Sequence, residues 1–262
     1  MGLALEVISG RVTNPGATIT ALTPNTGDSF SIRSFPEPAG AFLEDVWAQG
    51  AAAQVVRVRS PRMHDAIQGL RLATVAGSTR SLLPEAALQR LYPTDALTFE
   101  SSGGAAEVDT AALLIYYRDL PGVSARLVTW EEVAGRIRNI LTAHQDITLG
   151  GTAGDYQGGQ SITADFDTLK ADTDYAILGY DVTTQVLAVG IKSPDFGNLR
   201  VGGPGGTEVM DTRDWFVDLS RRLGTPHIPV FNSNNRGSTL VDVASVSTAG
   251  TVIVILHLAE LG

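Results

Sequence analysis

Along residues 55–72, "VVRVRSPRMHDAIQGLRL", apolar and polar positions alternate, break at a Ser-Pro and recover into Leu-Arg. Residues 186–201, "VLAVGIKSPDFGNLRV", do the same. A period of two residues is that of a strand with one face in a core, so each stretch predicts a strand, a turn and a second strand. Aligning Ser60-Pro61 with Ser193-Pro194 sets an offset of 133 residues. Read backward, Ala41-Phe42-Leu43 faces Ala176-Ile177-Leu178 and Asp45-Val46 faces Asp181-Val182. Read forward, each half passes through a predicted helix, a strand ("ALTFES"; "IPVFNSN"), a Gly-containing turn and a strongly apolar last strand, "AALLIYYRDL" or "TVIVILHLAEL". Leu120 then matches Leu261, so the halves differ by small insertions of the kind loops absorb. The pattern predicts one unit written twice.

Three helices are expected. In "LLPEAALQRLYP", Pro84 suits the first turn and Leu88 and Leu91 lie at i, i+3. In "DTRDWFVDLSRRLGTP", Asp211 or Thr212 is the expected cap, Trp215, Phe216, Leu219 and Leu223 the buried face, and Gly224 with Pro226 the stop. Between the repeats, Thr129 and Glu132 form a capping box ahead of Trp130, Val133, Ile137, Ile140 and Leu141, which predicts a helix of about three turns. "LGGTAGDYQGGQ" after it reads as a mobile surface loop.

Composition narrows the fold. Charged residues are only 18% of the 262, while 28 glycines and 12 prolines give a turn-rich balance that suits many short strands. About eight strands per repeat, with one helix late in each, predict an all-β chain of two tandem jelly-roll-type β-sandwiches plus a connecting helix. The expected divisions are 1–120 for the first sandwich, 121–150 for a connecting segment and 151–262 for the second, with the join near Pro121-Gly122.

Charge and chemistry exclude more than they assign. The formal net charge is −9, and neither half carries a basic stripe, so direct nucleic-acid binding is not expected. Only Lys170 and Lys192 are lysines; the other 17 cations are arginines, which form preorganised bidentate pairs with carboxylates. Without cysteine there is no disulfide framework, thiolate metal site or thiol nucleophile. The first residues lack the charged and apolar regions of a secretory signal, and no apolar run is long enough for a spanning helix, so a soluble chain is expected, with membrane contact peripheral at most.

The arrangement of two jelly rolls in one short chain, each with a helix leading to its last strands, resembles the double jelly-roll major capsid proteins of tailless, membrane-containing bacterial and archaeal viruses. The resemblance is architectural, spans most of the chain and rests on no diagnostic motif. It implies a trimer with both barrels upright to a shell, higher-order self-association, contact with other virion proteins, peripheral membrane contact in the particle, and a virion location after assembly in the host cytoplasm.

The candidate sites are weaker. His64-Asp65 with His227 lacks a placed nucleophile, no G-x-S-x-G elbow occurs, and His144 and His257 stand alone. Asp165, Asp167, Asp172 and Asp174 offer hard oxygen ligands without an EF-hand pattern and read as solvated strand and turn residues, a cation bridging neighbouring subunits being the functional option. "VGGPGGTE", 201–208, lacks the Lys and Ser/Thr of a phosphate loop and reads as a sandwich-end turn with glycines at positive φ. Trp215 and Phe216 read as core, whereas Tyr116, Tyr117 and Tyr180 offer aromatic contact area; Tyr116 and Tyr117 must point to opposite faces, which leaves one for an interface. No residue is assigned a catalytic, cofactor-binding or metal-ligating role. The expected function is a non-enzymatic capsid shell subunit that self-assembles through trimers; the alternative is a phage tail or spike component or a lectin-like binding module.

Overall fold

Residue for residue, the last strand of the first repeat serves two cores. In β9 (Val108–Leu120), Ala111, Leu113, Ile115 and Tyr117 enter one apolar cluster and Ala112, Leu114 and Tyr116 enter another. A strand covered on both sides loses the alternation of a half-buried one and reads as a continuous apolar run. That is the "AALLIYY" of the sequence.

The computed structural model describes residues 2–63, 66–76, 83, 88–105, 107–165, 167–206 and 212–262. The first repeat contains β1 (Gly2–Thr13), β2 (Thr20–Ala21), β3 (Thr23–Pro24), β4 (Ala41–Gln49), β5 (Gln54–Arg59), β6 (Leu70–Thr74), β7 (Gln89–Leu91), β8 (Thr98–Ser102) and β9. They form two sheets, ordered β3-β1-β9-β4-β7 and β2-β8-β5-β6. After β10 (Leu127–Val128) and α1 (Trp130–Ala134), the second repeat contains β11 (Ile137–Thr148), β12 (Tyr156–Ser161), β13 (Asp174–Val182), β14 (Val186–Lys192), β15 (Arg200–Gly205), α2 (Trp215–Leu223), β16 (Ile228–Asn232), β17 (Leu240–Ala244) and β18 (Thr251–Leu261). Its sheets are β10-β16-β13-β18-β11 and β12-β17-β14-β15.

The chain is therefore all-β, two tandem jelly-roll-type β-sandwiches of one topology. β1-β9-β4-β7 corresponds to β11-β18-β13-β16, and β2-β8-β5-β6 corresponds to β12-β17-β14-β15. The end pairing agrees as well as the order, Gly2 with Leu120 and Ile137 with Leu261, and β4 and β13 each carry one bulge, after Leu43 and after Ile177. The Ser-Pro repeat is the same turn twice. Ser60 Oγ accepts from the Arg62 amide and Ser193 Oγ from the Asp195 amide, each closing the turn that leaves the corresponding strand, β5 or β14.

Several local expectations are corrected. Gln89–Leu91 is a strand paired with β4, so this part of the predicted first helix is extended; Pro84 lies outside the described residues. The capping box at Thr129 and Glu132 is present, but α1 has five residues, because Gly135 ends it and Ile137, Ile140 and Leu141 belong to β11, which pairs along its length with β18. The cap of α2 is Asp214, while Thr212 donates its hydroxyl to the Tyr180 carbonyl and Asp211 is outside the described residues. Gly224, left-handed at φ 63°, stops α2. The last five residues of "LGGTAGDYQGGQ" belong to β12, which pairs with β17.

"RVGGPG" is also a strand, β15, and every residue of it is buried. The glycines are there for space. A Cβ on Gly203 would stand 2.3 Å from Trp215 Nε1, and one on Gly202 would stand 1.9 Å from the Val189 carbonyl oxygen. Trp215 donates its indole N–H to the Gly202 carbonyl at 3.1 Å, so the ring is held close against the strand. Among the described residues no helix is long and apolar enough to cross a membrane.

Candidate functional site

The two sandwiches are not beads on a string. The outer face of the first repeat's β1-β9-β4 layer packs on the outer face of the second repeat's β14-β15 layer, and Leu5, Val7, Trp47, Ala112, Leu114 and Tyr116 join the second core. Trp47 has no accessible surface and donates its indole N–H to the Leu187 carbonyl at 2.6 Å. Gln49 donates to the Gln185 carbonyl at 3.1 Å.

Two polar clusters sit in this seam. At one, His227 Nε2–H donates to Glu44 Oε2 at 2.7 Å, the ring stacks on Tyr116 with centroids 4.8 Å apart, and Nδ1 lies 3.1 Å from Thr225 Oγ1. Glu44 is the residue bulged out of β4. Burial beside Glu44 pushes the Tyr116 hydroxyl up to about 12. The carboxylate–imidazole–hydroxyl chain has the members of a nucleophilic relay, but His227 has no accessible surface and its ring is covered by Tyr116, so it holds two barrels together rather than meeting a substrate.

At the other, Arg200, on β15, is 4% exposed and reaches Asp28 of the first repeat at 2.5 Å and Asp242 at 3.3 Å. Its guanidinium stacks 3.3 Å from the centre of the Tyr156 ring. Alongside, Arg11 pairs with Asp155 at 2.9 Å, and Asn25 donates to the Gly154 carbonyl. The segment before β12, expected to be a mobile loop, is thus fastened to the first barrel.

Burial pushes the Asp28 carboxyl up to about 6, a rise that Arg200 and the two bonds from Ser9 reduce but do not cancel; burial raises Asp242 too. A carboxyl whose folded value lies above its unfolded value favours the protonated native state. Its contribution is complete below the unfolded value of 3.8 and is lost as pH rises through about 6. The melting temperature of the wild type minus that of Asp28→Asn should therefore fall between pH 4 and pH 7; a difference that stays flat or rises over that window would contradict it.

The remaining sequence candidates are dispersed. His64 and Asp65 lie outside the described residues. His257 meets Asp181 at 2.8 Å on the outer face of the second barrel. The four aspartates do not converge: Asp167 pairs with Arg236, Asp172 accepts from Asn234, Asp174 takes a bidentate pair from Arg126, and Asp165 accepts from the Asp146 amide. Asp165 instead lies with His144 and Asp146, their ligand atoms within 4.8 Å of one another and all three residues exposed. Tyr116 and Tyr117 do point to opposite faces, and both are buried; the interface Tyr116 serves is the internal seam. Tyr180, Trp215 and Phe216 are core, with Tyr180 donating to the Pro204 carbonyl. Sequence reasoning missed Glu44, Trp47, Asp28 and Arg200, whose partners across the seam are 140 to 183 residues away.

No protein-family model matches the chain, and no curated protein matches it. Among solved structures, it is similar to the PBSX exported protein XepA, with 9% identity, a TM-score of 0.28, and 98% of this chain and 86% of that one covered. It is also similar to the major capsid protein P2 from bacteriophage PM2, with 9% identity, a TM-score of 0.22, and 99% and 98% covered. At those values neither says what this chain does. The strand order itself defines a double jelly roll, the architecture on which the resemblance to capsid proteins rests.

Proposed function

We propose that the chain is a structural virion protein, a shell subunit that assembles through trimers and has no catalysis of its own. The observation that carries this reading is the seam. It joins the outer face of one sandwich to a different outer face of a second sandwich with the same topology. A contact between unlike faces of like units is heterologous, and it leaves one face of each kind unused at the two ends of the pair. In this reading the contact repeats between chains with a rotation that closes a ring rather than running on as a filament, and three chains then supply six barrels, a near-hexagonal outline that tiles a surface. Contacts with other virion proteins and with a membrane beneath the shell belong to the same reading, as does a virion location after assembly in the host cytoplasm.

Sedimentation velocity and negative-stain microscopy test it. Trimers at micromolar concentration that grow into sheets or shells at higher concentration are the expected result. A strict monomer from micromolar to millimolar concentration would defeat the shell reading and leave a binding module displayed on the β scaffold.

A further inference from the structure

The shared strand order of the repeats lets the internal seam be used as a template for the faces it leaves over. In the first barrel the Ser9 amide donates to Asp28 Oδ2 at 2.7 Å, and Ser9 pairs with Ala112. In the second, the Asp146 amide donates to Asp165 Oδ2 at 2.7 Å, and Asp146 pairs with Ile253. The donor–acceptor separation is 19 residues in both. Ala112 and Ile253 are equally far from the end-paired Leu120 and Leu261, while Ser9 and Asp146 differ by two residues in their distance from Gly2 and Ile137, a shift made by the bulges at those ends that keeps both on the same face. Asp28 and Asp165 are thus one device written twice: a carboxylate fastened by one oxygen to the first strand of its barrel, with the other oxygen turned outward.

What differs is the use of the second oxygen. Asp28 Oδ1 receives Arg200 of the neighbouring barrel, and beside it Ala112, Leu114 and Tyr116 are buried. Asp165 is exposed, and among the described residues no arginine or lysine pairs with it or with Asp146. At the positions matching Ala112, Leu114 and Tyr116 stand Ile253, Ile255 and His257, half-buried and uncovered.

The other leftover face carries the complementary charge. On the first barrel's β5-β6-β8 layer, Arg57 pairs with Arg71 across the strands and with Glu100 on the other side. In the second barrel the corresponding register is Gly190 with Gly202 and with Asp242. Glu100 therefore stands where Asp242 stands. Glu100 is shared by Arg57 and Arg59, at 2.5 and 3.1 Å. Gly69 falls at the place of Arg200, and the arginine appears two residues on, on the same face, as Arg71. Arg71 is exposed, and among the described residues no carboxylate pairs with it. One face has an excess of arginine; the other presents Asp146, Asp165 and Asp181 around a half-buried apolar strip.

We infer that the occupant of both faces is a second copy of this chain, with Asp165 of one copy accepting Arg71 of the next as Asp28 accepts Arg200 within the chain. This rests on the self-assembly reading and names its contact. Complementary charges of this kind fix register and suppress wrong pairings, and a like-charge substitution at either site is repulsive.

The test is sedimentation equilibrium of the full chain with D165R, R71E and the double variant D165R/R71E, with thermal melts to confirm that each folds, in EDTA and again with added Zn²⁺. Each single reversal is expected to weaken association about tenfold or more, and the double variant, which restores opposite charges with exchanged positions, to return to within about threefold of the wild type. A wild type that associates while both singles leave its affinity unchanged, or a double variant no better than the singles, would overturn the contact and leave the shell reading intact. Association that EDTA abolishes and Zn²⁺ restores would overturn it in favour of a cation held by His144, Asp146 and Asp165. A monomeric wild type would remove the shell reading and this contact together.

Discussion

Arg200→Ala should lower the stability of the folded chain by about 3–5 kcal/mol, the cost of removing one partner from a buried charge cluster. The side chains of Asp28 and Asp242 are 4% and 13% exposed, and both face this one guanidinium. Burial works against charge on Arg200, and Tyr156, Asp242 and Asp28 together more than offset it, so the group stays a cation. Removing it leaves two carboxyls in a seam that water reaches poorly, and both then favour protonation more strongly. Urea denaturation at pH 7 is the measurement. The mechanism also predicts a partial rescue: Arg200→Met combined with Asp28→Asn and Asp242→Asn takes away the stranded charges with the cation, and should recover most of the loss. If Arg200→Ala costs less than about 1 kcal/mol, the value of a solvated surface pair, the cluster is not sealed in the way described.

The seam explains which parts of this fold could be read from the chain alone. The Ser60 and Ser193 turns were legible because the signal is local: a serine hydroxyl closing onto an amide two residues on, next to a proline, at the end of a strand. The capping box at Thr129 and Glu132 was legible for the same reason. The error came one turn later, where Ile137, Ile140 and Leu141 fit a helical period. The strand signal in that segment lies further on, in the alternation of buried Ala143, Gln145 and Ile147 with exposed His144, Asp146 and Thr148. Pairing with β18 over the whole of β11 outweighs the local preference.

The glycines of β15 were misread because glycine is ambiguous without its neighbours. A turn needs it for positive φ, whereas here it leaves room for the Trp215 ring and the Val189 carbonyl. Glu44 and Arg200 carried no sequence signal at all. A charged residue in a strand reads as solvent-facing, and only the second barrel, folded against the first, makes these two buried. The Tyr116-Tyr117 pair shows the limit well: opposite faces followed from strand geometry, but that both faces are interior depends on a contact between repeats.

Trp47→Ala should be about as damaging, about 3–5 kcal/mol for a large buried aromatic, and it has a second readout that separates the seam from the cores. Trp47 projects from β4 away from its own barrel's interior and into the apolar cluster of the other, so truncating it empties space between the barrels and leaves the Leu187 carbonyl without its donor. The core enclosed by Val56, Val58 and Phe99 in the first barrel is not touched; in the second the loss falls on the part of the cluster beside Leu187, where the first barrel packs. Coupling between the barrels should therefore suffer more than either barrel does. A single cooperative unfolding transition in the wild type is expected to split in two or broaden in the variant, whereas Phe216→Ala, which opens the core of the second barrel alone, should lower that barrel's transition first. Trp47→Phe keeps most of the packing and loses only the indole donor, so it should cost about 1–3 kcal/mol, the penalty of a buried carbonyl left unpaired, without splitting the transition. Calorimetry of the three variants decides the point. If Trp47→Ala unfolds in one sharp transition with a loss under about 1 kcal/mol, the seam is a loose apposition; it could then hardly serve as the template for contacts between chains, and the assignment of Asp165 and Arg71 would lose its physical basis.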